Sequence, residues 1–180
     1  TIGEDYIYYA FKFARKYAAD YMKLFYNDYN CLQKTNKLPI NLQQLKDEGL
    51  IDGIGMQSHF SVNNNAIEIL MAVKTFCKAG YEVQMTELDI GMENKNPWYW
   101  KKQVALYKEL FEGLVELKEE GYPITGVTVW GLSDTLDLRV RRYYRSVQHR
   151  HEDSARHQAS CRLRTDRQWF GIRSERLWCA

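Results

Sequence analysis

Four times in the first 134 residues a short apolar run ends in polar or charged side chains, and a segment of helical period precedes each run. The first, M-K-L-F-Y (22–26), ends in Asn27-Asp28-Tyr29-Asn30. The second, I-D-G-I-G-M (51–56), ends in Gln57-Ser58-His59-Phe60. The third is E-V-Q-M-T-E-L-D-I-G (82–91), where Glu87 and Asp89 interrupt the apolar positions Val83, Met85 and Leu88. The fourth, I-T-G-V-T-V-W (124–130), ends in Gly131-Leu132-Ser133-Asp134. Short apolar runs bounded by glycine and polar clusters specify buried strands. Strands that alternate with helices specify a parallel sheet covered by helices, an α/β fold. In such folds chemistry sits at the carboxyl ends of the strands. Four polar clusters at the same end therefore predict one active-site face.

The intervening segments carry helical stripes. Ile7, Ala10, Phe11, Ala14, Tyr17 and Ala18 fall on one face of a helix over 4–19. Pro39 suits a first helical turn, Leu42, Leu45 and Leu50 continue it, and Gly49 stops it. A strongly apolar helix covers 66–78 and a long one 97–120, opened by Pro97 and stopped by Gly121. Trp98 and Trp100 begin that last helix outside the sheet, so they read as core or surface packing.

A hydrophobic content of 45% with 14% aromatic residues supports a globular core and excludes wholesale disorder. The length suits one domain. No apolar run approaches the roughly 18 residues of a membrane-spanning helix, so no membrane partner is expected. The chain opens directly into a helix with no signal peptide, as if it began inside a longer protein. Cys31, Cys77, Cys161 and Cys179 form no C-x-x-C pair, so neither a disulfide framework nor a zinc site is expected.

The net charge of +2 hides a break in composition. Residues 1–138 hold 13 Lys, one Arg and 19 acids, a net of −5, whereas 139–180 hold 11 Arg, no Lys and four acids, a net of +7. The apolar period also ends near Asp137. An Arg-rich nucleic-acid arm is one explanation, and a His-rich metal site another, although no histidine pair has zinc-ligand spacing. A reading-frame slip fits better. Read one base later, codons for 147–153 permit Phe-Asn-Ile-Asp-Met-Lys-Thr. The expected organisation is thus 1–138 as the folded body and 139–180 as a foreign tail, with no nucleic-acid partner.

Taken together, N-D-Y-N (27–30), G-I-G-M-Q-S-H-F (53–60), T-E-L-D-I (86–90) and V-W-G-L-S-D (129–134) resemble glycoside hydrolase family 10, the retaining endo-β-1,4-xylanases. The resemblance covers roughly residues 1–137 and matches the fifth to eighth strands of that family's (β/α)8 TIM barrel. It implies that Glu87 is the catalytic nucleophile, that His59 hydrogen-bonds it, and that Asp89 orients the histidine. It implies substrate contacts for Asn27, Tyr29 and Gln57, and an aromatic platform under the sugar for Trp130. By itself His59 would read as a core histidine and Trp130 as core packing. The implied partner is xylan or a xylo-oligosaccharide, the implied location extracellular, and no metal or organic cofactor is called for. The oligomeric state stays open.

The sequence also departs from the family. The acid/base glutamate belongs to a W-D-x-x-N-E motif that does not occur here, and Glu4, in G-E-D-Y, has the wrong context. The closing segment after Asp134 is replaced. Half a barrel would expose two sheet edges and an apolar face, so the chain alone is expected to be poorly stable and without xylanase activity. The alternative is a non-catalytic glycan-binding half-barrel that keeps Asn27, Tyr29 and Trp130.

Overall fold

All four apolar runs become strands of one parallel sheet. A computed structural model describes residues 3–93 and 96–131; Asp134 and the Arg-rich segment 139–180 lie outside them. A 3-10 turn (Gly3–Asp5) leads into α1 (Tyr6–Tyr17) and β1 (Phe25–Asp28). A second 3-10 turn (Cys31–Lys34) precedes α2 (Leu38–Asn41), α3 (Gln43–Asp47), β2 (Gly53–Met56) and β3 (His59–Ser61). Then come α4 (Ala66–Lys78), β4 (Glu82–Gly91), α5 (Pro97–Glu119) and β5 (Ile124–Val129).

The long strand β4 is the hub. Along one side it pairs first with β2, from Gly53↔Glu82 to Met56↔Met85, and then with β3, from His59↔Asp89 to Ser61↔Gly91. Along the other side it pairs with β5, while β1 pairs with β2. The strands β2 and β3 thus share one place in the sheet, broken only by Gln57 and Ser58. Ser58 sits at φ +65, a left-handed conformation uncommon for a residue other than glycine. His59 is therefore not in the loop beyond a strand, as the apolar run alone implied. It begins a resumed strand.

Two other boundaries shift for visible reasons. The first strand starts at Phe25 rather than Met22, because the Met22 amide closes a turn onto the Ala19 carbonyl at 2.9 Å. The Leu24 amide is drawn to the Asp52 carboxylate at 2.7 Å. The helix expected after Pro39 divides at Leu42 into α2 and α3. The α4 helix matches expectation, and both long helices are capped. Asn65 Oδ1 accepts from the Ile67 amide at 2.8 Å and Asn96 Oδ1 from the Trp98 amide at 2.9 Å, with Pro97 in the first turn.

The core is a single cluster joining sheet to helices. Ile54, Met56, Val83, Met85 and Leu88 from the strands meet Ile69, Val73 and Phe76 of α4 and Leu110 of α5, all essentially inaccessible. Each such side chain contributes about 1.5–3 kcal/mol by leaving water. The flanks are different. No residue of α1 is buried, and Tyr6, Tyr9, Phe13 and Tyr17 line its exposed side. Among the described residues β1 and β5 each have one strand neighbour. Those are the open edges expected of half a barrel.

Gly53 has no room for a side chain: a Cβ there would overlap the Phe25 ring and stand 2.5 Å from the Glu82 carbonyl oxygen. Gly126 is roomier, with its nearest neighbour at 3.6 Å. Gly53→Ala should lower the urea midpoint by the equivalent of about 1–3 kcal/mol, an overpacking penalty. Gly126→Ala should leave it unchanged or raise it.

Asp52 ties the end of α1 to the sheet, through Arg15 Nη2 at 2.6 Å and the Leu24 amide. Burial alone would raise its pKa, but the Leu24 amide and the Arg15 guanidinium outweigh burial and hold the carboxyl below its usual range. A depressed carboxyl stabilises above its unfolded pKa, and that contribution is lost as pH falls through the folded one. Asp52→Asn should therefore lower the urea midpoint at pH 7, by about 1–2 kcal/mol. The gap to the unsubstituted chain should close as pH falls below the ordinary carboxylate range, where the carboxyl takes up its proton.

Candidate active site

The site is built on an irregularity in β4. Its pairing with β5 runs Met85↔Val127 and then Leu88↔Val129, so three steps on β4 match two on β5. That is a β-bulge at Thr86 and Glu87, and bulges re-aim side chains that strict alternation would send to opposite faces. Here Thr86 and Glu87 both reach Asn27 of β1. Asp89, two residues further on, shares their face.

The register of β3 against β4 puts His59 directly beside Asp89. His59 Nδ1 lies 3.1 Å from Asp89 Oδ2, and His59 Nε2 lies 3.2 Å from Glu87 Oε2. Both ring nitrogens thus lie within ion-pair distance of a carboxylate oxygen, although Nδ1 makes no well-aligned hydrogen bond. Asn27 Nδ2 donates to the other Glu87 oxygen, Oε1, at 3.3 Å. The side chains of His59, Glu87 and Asp89 are only 18%, 19% and 12% exposed. Glu87 is held from both sides yet still touches solvent, as a carboxylate that meets a ligand must be.

The remaining expected residues surround this group. Trp130 stands edge-on to His59, with ring centroids 6.2 Å apart and planes at 81°, and its amide is fixed to the Leu88 carbonyl at 2.9 Å. Its ring is half exposed, so it is not core packing. Tyr29 is exposed, and Lys34 Nζ sits 4.2 Å from its ring centroid while pairing with both oxygens of Asp28. Gln57 is half-buried at the β2–β3 break, where its amide donates to the Asp28 carbonyl at 3.0 Å. Among the described residues no hydrogen bond joins the side chains of Tyr29 or Gln57 to Glu87. The structure thus brings Asn27, His59, Glu87, Asp89 and Trp130 together and leaves Tyr29 and Gln57 on the rim.

Beside His59 opens a pocket of about 230 Å³ lined by Asn30, Gln33, Ser58 and Asn64, an amide-rich wall suited to hydroxyl groups. A larger cavity of about 450 Å³ lies around Tyr8, Tyr26, Asp28 and Asn41, and none of Glu87, His59 or Asp89 lines it. Trp98 and Trp100 resolve as surface residues, Trp98 beneath Lys102 Nζ at 4.0 Å. Burial pushes the Cys31 thiol up to about 12 and that of Cys77 to about 11, so neither is a nucleophile at neutral pH.

Sequence reasoning missed Thr86, Gly55 and Ser58. The apolar positions 83 and 85 followed by 88 already break a period of two, which is the one signal that would have located the bulge.

Comparison with known proteins bears directly on this geometry. The family model for glycosyl hydrolase family 10 matches residues 1–144. The chain is 43% identical over 138 residues to endo-1,4-beta-xylanase A of Thermoanaerobacterium saccharolyticum, covering 74% of this chain and 12% of that protein. It is 42% identical over 138 residues to exoglucanase XynX of Acetivibrio thermocellus, with the same coverage of each. It superposes with a TM-score of 0.68 and 41% identity on the crystal structure of TsXylA, an intracellular xylanase from T. saccharolyticum, over 76% of this chain and 43% of that one. The chain thus spans well under half the length of these relatives, and its parallel sheet is part of a (β/α)8 barrel. From the sheet order, the matched span and the level of identity, the chain belongs to glycosyl hydrolase family 10.

Proposed function

We propose that the chain is the C-terminal half of the catalytic barrel of a retaining endo-1,4-β-xylanase, with Glu87 as its nucleophile. The observation that carries this is the Glu87 carboxylate at the end of β4, gripped by His59 on one oxygen and Asn27 on the other. In retaining hydrolysis a carboxylate attacks the anomeric carbon while a second carboxyl, about 5–5.5 Å away, protonates the departing oxygen. The Asn27 hydrogen bond on one oxygen of Glu87 and the His59 ring against the other fix the direction from which it attacks. Asp89 fixes His59 in turn, and so acts through it. Trp130 offers a flat apolar face to the sugar ring, and the amide-lined pocket beside His59 suits a neighbouring pyranose.

The acid/base is not in this sequence and comes, on this proposal, from the complementary half. Solved relatives carry xylotetraose and xylotriose, which supports xylan as the substrate class. Without its complement the same face would bind xylo-oligosaccharide and leave it uncut, the alternative function. Secretion belongs to the proposal only because xylan lies outside the cell. One relative is described as intracellular, so family membership does not carry it. The body is taken as 1–138 and the tail 139–180 as foreign to it on the change of charge, although the family match runs on to residue 144. The encoding DNA decides that point: lack of an open shifted frame after Asp137 would remove the case for a slip.

The chain alone should release no more reducing sugar from xylan than buffer. Combined with the half of the T. saccharolyticum xylanase that supplies strands one to four, it should become active. Glu87→Gly should then lower the rate by roughly three to five orders of magnitude, the usual scale for losing a nucleophile. Azide should restore turnover as a glycosyl azide of inverted configuration. Hydrolysis by the chain alone, or an active Glu87→Gly, would overturn the proposal.

A further inference from the structure

We infer that Thr86 is a positioning residue for Glu87, because its hydroxyl reaches over Gly55 to set the direction of the Asn27 amide. The inference rests on Glu87 being the reactive carboxylate. The first observation is the Thr86 hydroxyl, 2.6 Å from Asn27 Oδ1 and 3.1 Å from the Met56 carbonyl oxygen. The second is the strand between them. Asn27 is in register with Gly55 of β2, so Asn27 and Thr86 can meet only by crossing β2. A Cβ on Gly55 would stand 2.8 Å from Asn27 Oδ1 and 3.1 Å from Thr86 Cγ2. The missing side chain is the space in which the two residues touch. The third is the bulge, which brings Glu87 onto the face that Thr86 shares by register with Gln84, Gly55 and Asn27.

Hydrogen-bond chemistry then fixes every proton. An ionised carboxylate only accepts, so the Asn27 NH2 must face Glu87 Oε1, 3.3 Å away. The Asn27 carbonyl oxygen must then face Thr86, and the single hydroxyl proton must go to it rather than to the Met56 carbonyl. Turned over, the amide would set Oδ1 against Glu87 Oε1, acceptor against acceptor. Thr86 therefore gives the Asn27 oxygen its partner and keeps the NH2 on the carboxylate. Its hydroxyl bonds Asn27 and the Met56 carbonyl rather than the Glu87 carboxylate, so it acts through Asn27.

The test uses the full 180-residue chain with Thr86→Ser, Thr86→Val and Gly55→Ala. One readout is labelling by 2,4-dinitrophenyl 2-deoxy-2-fluoro-β-xylobioside, followed by intact mass. A Glu87 oxygen bonds to C1, the C1–O bond to dinitrophenolate breaks, and the anion leaves without needing a general acid. The other readout is the nuclear Overhauser contact between the Asn27 side-chain NH2 and the Glu87 methylene protons. Thr86→Ser keeps the hydroxyl and should label within about twofold of the unsubstituted chain with the contact intact. Thr86→Val and Gly55→Ala should label about tenfold more slowly, the scale of one hydrogen bond, and lose the contact. Equal labelling and a retained contact in Thr86→Val would overturn the inference, as would absence of the contact before any substitution. A chain that labels neither alone nor with its complementary half, but loses the contact only in Thr86→Val and Gly55→Ala, would support the positioning role and reject Glu87 as nucleophile.

Discussion

The site depends on one strand having neighbours on both sides and an extra residue in its middle. β4 is paired with β2 and β3 along one edge and β5 along the other, so its backbone cannot shift without breaking both ladders. The bulge at Thr86 and Glu87 is held inside that frame. It converts a run of alternating side chains into three inward polar groups, at 86, 87 and 89. His59 arrives from β3 in register with Asp89, and Asn27 arrives from β1 over a residue that has no side chain. None of these contacts is local in sequence. Asn27 and Glu87 are 60 residues apart.

Much of the scaffold was legible because its signals are periodic. The helix over 66–78 was legible from its apolar stripe and forms at those bounds, while its Asn65 cap came from the structure. The four strand ends were legible because apolar residues stop there and polar ones begin. The family motifs then named Glu87, His59 and Asp89, and the structure sets the His59 ring 3.2 Å from one carboxylate and 3.1 Å from the other. What could not be read is what depends on a single residue's backbone. Ser58 in the left-handed region restarts the second strand, and no propensity for serine announces that. The first strand begins three residues late because an aspartate just ahead of β2 captures Leu24, a tertiary contact invisible to periodicity. The exposure of Trp98 and Trp100 was equally hidden, since one helix face can meet either a neighbour or water.

The two flanks of the sheet contrast with its middle. Where β4 passes beneath α4 and α5, the side chains are inaccessible and the helices are capped. At α1 the aromatic side chains face solvent, and β1 and β5 keep a free edge each among the described residues. The chemistry is therefore concentrated on the best-supported strand, and the least-supported elements lie where a larger barrel would continue. A half-barrel can hold this side-chain geometry because β4 is central to it, not marginal.

Lys34 has an effect beyond neutralising Asp28. Its ammonium lies against the Tyr29 ring at 4.2 Å, tethered there by both oxygens of the aspartate. One face of the ring is thus occupied by a cation that the fold itself holds in place. Tyr29 is left as a one-sided shelf, and a flat ligand can be laid on it from a single direction. The same ion pair that satisfies Asp28 thus decides which side of this aromatic ring stays open to solvent.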